Sequence, residues 1–350
     1  MIDISKFNSI QQAAWRLMST DLEYLFTVIK NINPHDSNYI PSLAPYMGVI
    51  IDGVEDWVKS YNNSSRNKIV LPLFTKAEEI YYEEMRATIK LWQYDYSYIY
   101  RSLENIYHES ETYFSSVCKP IAKTLQLYDI FGVDCADRAF CGNTILCHYY
   151  IPSFSHLERT SNGQLVKQMA VIGGQYINLF NAQKPFSVDD KMKFNTIDYG
   201  GFLKSPIGNK FSYKFLLLSI LCQINFLLVC VDQWVAEEIP TKMRFMYLQY
   251  YSLLHFLPEV NAANGLCLQM SNRWQCVSFR NSMAHYKLGV SLKPNELITN
   301  DPLYGLTQKY FHCDYFTAKD GVTKELVSLR NQIGDILHLH PSMIKGVNHA

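Results

Sequence analysis

Apolar residues recur at helical spacing over most of this chain. Ile10 to Ile32, Leu43 to Tyr61 and Leu73 to Leu91 each keep them on one face for several turns, which predicts three helices of roughly four to six turns. Lys76-Ala77-Glu78-Glu79 places carboxylates where a helical first turn, with its partial positive charge, favours them. Tyr94, Tyr96, Tyr98 and Tyr100 alternate as in a strand, yet Tyr94 and Tyr98 also share a helical face, and a continuing helix is the reading adopted. From Pro152 to Gly208 the period is broken by Ser-Asn-Gly at 161 to 163, Gly173-Gly174, Gly200-Gly201, Pro185 and Pro206, so a domain boundary belongs there. Helical patterning resumes at about Phe211, with apolar segments at Phe215 to Val235 and Met243 to Leu257, a helix at about Asn272 to Leu288 and a last one at about Thr323 to Leu339. Four helices joined by short connections describe a bundle. The expected fold is therefore all-α: an N-terminal helical region over 1–160, an irregular connecting segment over 161–207 and a C-terminal bundle over 208–350. No fixed-period repeat and no low-complexity tail interrupts this scheme.

Composition sharpens the picture in four places. At 350 residues, 48% apolar and 18% charged, the chain can bury a large core and is not a disordered polymer, and its length favours two domains or one with a large addition. Thirty-two Lys plus Arg balance 32 Asp plus Glu, so any contact with RNA has to come from a local patch. The start, MIDISKFNSIQQAAW, does not read as a secretory signal, and nine cysteines, several in apolar runs (Cys222, Cys230, Cys267, Cys276), suit buried reduced thiols; the expected location is the cytoplasm. Phe215 to Val231 is apolar enough to suggest a membrane span, but it is 17 residues long and carries Ser219, Gln223 and Asn225, which favours a buried core helix.

Candidate chemistry is concentrated in Arg280-Asn281-Ser282-Met283-Ala284-His285. An arginine followed by a histidine at this spacing is expected roughly once by chance in a chain with ten of each, and Arg101 to His108 is such a match, with Glu104 as a local partner. Asn281, directly after Arg280, sets the later match apart. On a helix through this segment Cys276, Phe279, Met283, Tyr286 and Val290 form one apolar stripe, Trp274, Ser278, Asn281, His285 and Leu288 a second, and Arg273, Arg280 and Lys287 a basic edge. The second stripe calls for another partner, for which a second copy of the chain is the economical candidate. Asn281 and His285, at i and i+4, are placed for the amide to orient the ring, while Arg280 and His285, about 140° apart, would flank a cleft with the basic edge, Arg273 and Lys287, holding phosphates.

Residue by residue the motif resembles the signature of the HEPN superfamily, all-helical bundles found in prokaryotic toxins, antiviral effectors and RNA-processing factors. Arg280 matches its arginine, Asn281 the polar residue that commonly follows and His285 its histidine, on a late helix as in that family; the N-terminal half takes no part in the likeness. The resemblance implies a metal-independent endoribonuclease without cofactor, cutting RNA at a composite site between two protomers and regulated by an antitoxin or other protein. In that chemistry the 2′-hydroxyl attacks the adjacent phosphorus and leaves a 2′,3′-cyclic phosphate. His285 would move protons near neutral pH and Arg280 would stabilise the charge developing on phosphoryl oxygens. Members modified on a tyrosine two residues after the histidine have no counterpart here, because Lys287 stands there and Tyr286 falls on the apolar stripe.

Other groups carry less. Cys135, Cys141, Cys147 and His148 lack the short spacing of zinc knuckles, and no metal site is expected. His338 and His340 near a helix end, and His312-Cys313-Asp314, read as structural. No phosphate-cradling glycine loop, nucleophile elbow or HExxH is present. The rival reading is a non-catalytic helical protein that uses its bundle for dimerisation or partner binding, and no membrane is expected among the partners.

Overall fold

The computed structural model describes residues 2, 4–31, 39–150 and 162–345. In chain order the helices and strands are α1 (Ser9–Asn31), α2 (Tyr39–Ser64), α3 (Lys76–Thr88), α4 (Tyr96–Val117), α5 (Pro120–Thr124), β1 (Asp129–Ala136), β2 (Ala139–Asn143), α6 (Thr144–Tyr150), α7 (Asn162–Phe180), β3 (Phe194–Gly200), α8 (Tyr213–Asn225), α9 (Pro240–Asn264), α10 (Val277–Ala284), α11 (Leu288–Ser291), α12 (Leu306–Phe311), α13 (Tyr315–Leu337) and α14 (Pro341–Lys345). Three early helices and the apolar pair α8 and α9 fall where periodicity places them, and the last long helix begins about two turns earlier than expected, at Tyr315; Ile32 and the stretch 152–161 lie outside the described residues. Thr75 caps α3, its hydroxyl accepting from the Glu78 N–H while the Glu78 carboxylate accepts from the Thr75 N–H, so the acidic turn seen in sequence is half of a reciprocal cap.

Two expectations are corrected. The chain is mostly helical rather than all-α, because β1 pairs antiparallel with β2 and with β3 in the order β2-β1-β3. And 161–207 is not irregular: α7 and β3 occupy much of it. The β1–β2 hairpin turns through Asp137 and Arg138, both with positive φ (45° and 73°), without the glycine that ordinarily marks such a turn. β1 is buried along nearly its whole length, so its residues show no alternation.

The core is continuous across the sequence boundary. α1 packs on α2, α7 and α9, α8 packs on β2 and α13, and α2 touches α10. Buried residues from both halves, among them Met18, Val54, Leu216, Phe245 and Leu329, belong to one hydrophobic cluster. α8 runs on as a π-helical turn, Phe226–Gln233, and Tyr213–Gln233 is long and apolar enough to cross a membrane; 94% of its most apolar window is inside the fold. The protein interior therefore solvates what a bilayer would otherwise have to. Where the π-helix ends, the Lys242 ammonium donates to the carbonyls of Asp232 and Val235 at 2.6 and 2.8 Å, filling acceptors the helix leaves open.

Candidate functional site

The predicted helix over 272–288 is much shorter than its periodicity suggests: α10 ends at Ala284, and His285 is extended at φ −133°, ψ 154°. A buried arginine on α9 accounts for the break. Arg244, 1% exposed, donates through Nε and Nη2 to the Met283 carbonyl at 3.0 and 2.7 Å, taking the acceptor that the next helical turn would use. Its Nη1 donates to the Tyr286 hydroxyl at 2.9 Å, its Cζ lies 4.3 Å from the centre of that ring, and it is ion-paired with Asp21 of α1. Tyr286 donates to the same carboxylate, and Thr241 Oγ1 donates to its other oxygen at 2.6 Å. Burial pulls the guanidinium below its ordinary value against the opposing pull of Tyr286. Sequence reasoning missed both Arg244 and Asp21.

The break redistributes the faces read from the sequence. Phe279, Met283 and Tyr286 are fully buried as expected, but Cys276 is half-buried and Val290, past the break, is 85% exposed. On the second face Trp274 and Leu288 are covered by this chain itself, Trp274 lying against Gly321 of α13 and edge-on to Phe311, so they do not call for a second copy. The basic edge is not one helical edge: Arg273 lies in a turn before α10, exposed, with its guanidinium 5.1 Å from the Trp274 ring, and Lys287 follows the break.

Three motif residues remain at one end of α10. Arg280 is half-buried and its Nη1 donates to Asn281 Oδ1 at 3.1 Å; Asn281 is exposed, and its carbonyl, not its amide, meets His285 by accepting from the His285 N–H at 3.1 Å. The expected amide–imidazole bond is thus replaced by a carboxylate from α2. His285 Nδ1 lies 3.3 Å from Asp56 Oδ2, buried and without a hydrogen bond, while Lys287 Nζ donates to the same oxygen at 3.2 Å. The His285 side chain is 35% exposed, and with Nδ1 sealed that exposure lies on the rest of the ring. Burial, aided by Lys287 and Arg280, holds the imidazole below its ordinary value of 6.5, outweighing Asp56 and Asp52, which favour the charged form. One turn along α2, Asp52 is occupied by Arg86 at 3.1 Å. Gly53 lets α2 come this close, since a Cβ there would stand 2.9 Å from the Tyr286 ring. Beside Lys287 opens a cavity of about 220 Å³ whose wall includes Asn8, Gln11, Trp57, Tyr61 and Ser64.

This is a centre of one imidazole, one carboxylate and two cations, with room for a ligand next to it. Among the described residues no three His, Cys, Asp or Glu side chains lie together as a metal site requires. All nine cysteines are free thiols; Cys222 and Cys230 are buried as expected, whereas Cys267 is exposed. Comparison with known proteins finds no matching family model, curated protein or solved structure.

The remaining candidates are accounted for locally. His108 meets Glu111, one turn along α4, at 3.5 Å. Asp314 caps α13 by accepting from the Thr317 N–H, and His338 ends that helix in the left-handed conformation.

Proposed function

We propose that the protein is a HEPN-like, metal-independent endoribonuclease, cytoplasmic, of the toxin or antiviral-defence type. The observation that carries this reading is the half-exposed His285 imidazole set against Asp56, with Arg280 close enough to act on its charge. His285 takes the proton of a substrate 2′-hydroxyl; the oxygen attacks phosphorus as the bond to the 5′-oxygen breaks, and the imidazolium returns the proton to the departing oxygen, leaving a 5′-hydroxyl. Arg280 offers a planar fork of N–H donors to the charge that builds on the phosphoryl oxygens. Asp56, 3.3 Å from Nδ1, steadies the imidazolium that forms. Lys287 is tied to Asp56 and contributes charge more than a free contact, and Arg273, removed from the centre, would meet only flanking phosphate. The family's composite site needs two protomers; Val277 and Val290, exposed on either side of the motif, supply apolar surface for that pairing. An antitoxin or other regulatory protein would cover the same end of the bundle.

A second reading, a non-catalytic interaction protein, is favoured by one observation: Lys287 and His285 both converge on Asp56, as a clasp between α2 and the segment after α10 would require. The experiment that separates them is incubation of purified protein with single-stranded RNA and analysis of product ends. The nuclease reading requires 2′,3′-cyclic phosphates that disappear in Arg280→Ala and His285→Ala, whereas the clasp reading requires stability loss in His285→Ala with no cleavage by any form.

A further inference from the structure

A second surface, independent of the motif, carries an exposed cluster of large apolar side chains. It is built where α5 and the segment after it meet the loop after β3. Leu127 N–H donates to the Ala122 carbonyl, and Leu125 N–H to that of Ile121, folding 121–127 into a tight knot. The Gly201 N–H donates to the Tyr128 carbonyl, and a Cβ at Gly201 would overlap the Gln126 carbonyl, so glycine is needed for the loop to lie flat on that knot. On this base stand Ile121, Leu125, Leu127, Phe202 and Leu203, with Phe202 88% and Ile121 75% exposed. Exposed apolar side chains grouped this way mark a contact surface.

Charge says what the surface meets. Between Glu111 and Asp129, and again between Asp198 and Asp232, the sequence contains no Asp or Glu, while Lys119, Lys123, Lys204 and Lys210 are exposed there. Lys210 belongs to the same patch because its neighbour Asn209 donates through Nδ2 to the Gly200 carbonyl at 2.8 Å. In a chain of zero formal net charge this is a local excess of positive charge around an apolar tip. Three carboxylates border the knot, Glu111 within α4 and the exposed Asp129 and Asp198, Asp129 pairing across the sheet with Gly200, so the four lysines exceed them by one. We infer that this knot docks the protein peripherally on an anionic lipid surface, Phe202 and the aliphatic tips entering the headgroup boundary and the four lysines meeting lipid phosphates and carboxylates. Single-stranded nucleic acid fits less well, because four of the five tips are aliphatic and offer no ring for base stacking, and because the cations are all lysines, with no arginine fork.

The test is sedimentation of the full chain with vesicles of phosphatidylcholine alone and of phosphatidylcholine with about 30 mol% phosphatidylserine. Binding is expected only to the anionic vesicles and should fall as salt rises. Phe202→Ser combined with Leu203→Ser should weaken it at least about tenfold, and each of Lys119→Gln, Lys123→Gln and Lys204→Gln roughly fivefold. These positions are exposed, so unchanged circular dichroism separates lost docking from lost folding. Absence of sedimentation with anionic vesicles at low salt, unaltered binding by the serine variant, binding of poly-U RNA lost in the same variants, or conversion of a dimer to a monomer by Phe202→Ser would each overturn the assignment.

Discussion

His285 is shaped by opposing influences of similar reach. Burial, Lys287 and Arg280 disfavour its proton, and Asp56 and Asp52 favour it. Replacing Asp56 by Asn removes the larger stabiliser of the imidazolium, so a proton NMR titration of the His285 ring should shift to lower pH, and the acidic limb of any cleavage pH profile should move with it. The fold shares this linkage. A histidine whose folded value is depressed leaves the unfolded chain binding more protons, so its stabilisation is complete above about 6.5 and is lost as pH falls through the lower folded value. His285→Gln should flatten the fall in thermal stability between pH 7 and pH 5, and an unchanged slope would remove His285 from that role. Arg280, Asn281 and His285 were legible because they are consecutive enough to form a motif. Asp56 was not, since its partner lies more than two hundred residues away and nothing local on α2 distinguishes it from Asp52 or Glu55.

At the scale of elements, Arg244 decides where α10 stops. Removing one partner of a buried pair strands the other charge, so Arg244→Met should cost about 3–5 kcal/mol in chemical denaturation, while Arg244→Met with Asp21→Leu should cost less than the single change. A loss below about 1 kcal/mol for Arg244→Met would show that the network does not hold the motif segment. Thr75→Ala, which deletes the reciprocal cap of α3, should cost about 1 kcal/mol by the same measurement. Helices with one buried face announce themselves by period, which is why α1, α3 and α13 could be read, whereas α2 and α9, buried on every side over 41–50 and 241–250, showed through their long apolar content. The sheet and the end of α10 could not. β1 is covered on both faces and its hairpin turns through Asp137-Arg138 without glycine, and the stop after Ala284 is imposed by a side chain forty residues earlier in the sequence, with no proline or glycine at the break.

The whole molecule joins its two halves through one core and brings α2 from the N-terminal half against the motif segment of the C-terminal half. The site is therefore a product of the complete fold: 208–350 expressed alone would lack Asp56 and Asp21. That fragment should show neither the native stability nor any cleavage, and an active fragment would place the chemistry elsewhere. The most direct measurement is RNA cleavage by the purified full-length protein, with mass-spectrometric assignment of the new ends, for the native chain, Arg280→Ala and His285→Ala. Fragments ending in 2′,3′-cyclic phosphate from the native protein, and none from either variant with its fold intact, are predicted. Cleavage undiminished in both variants, or no cleavage by the native protein in either its monomeric or its dimeric form, would contradict the account.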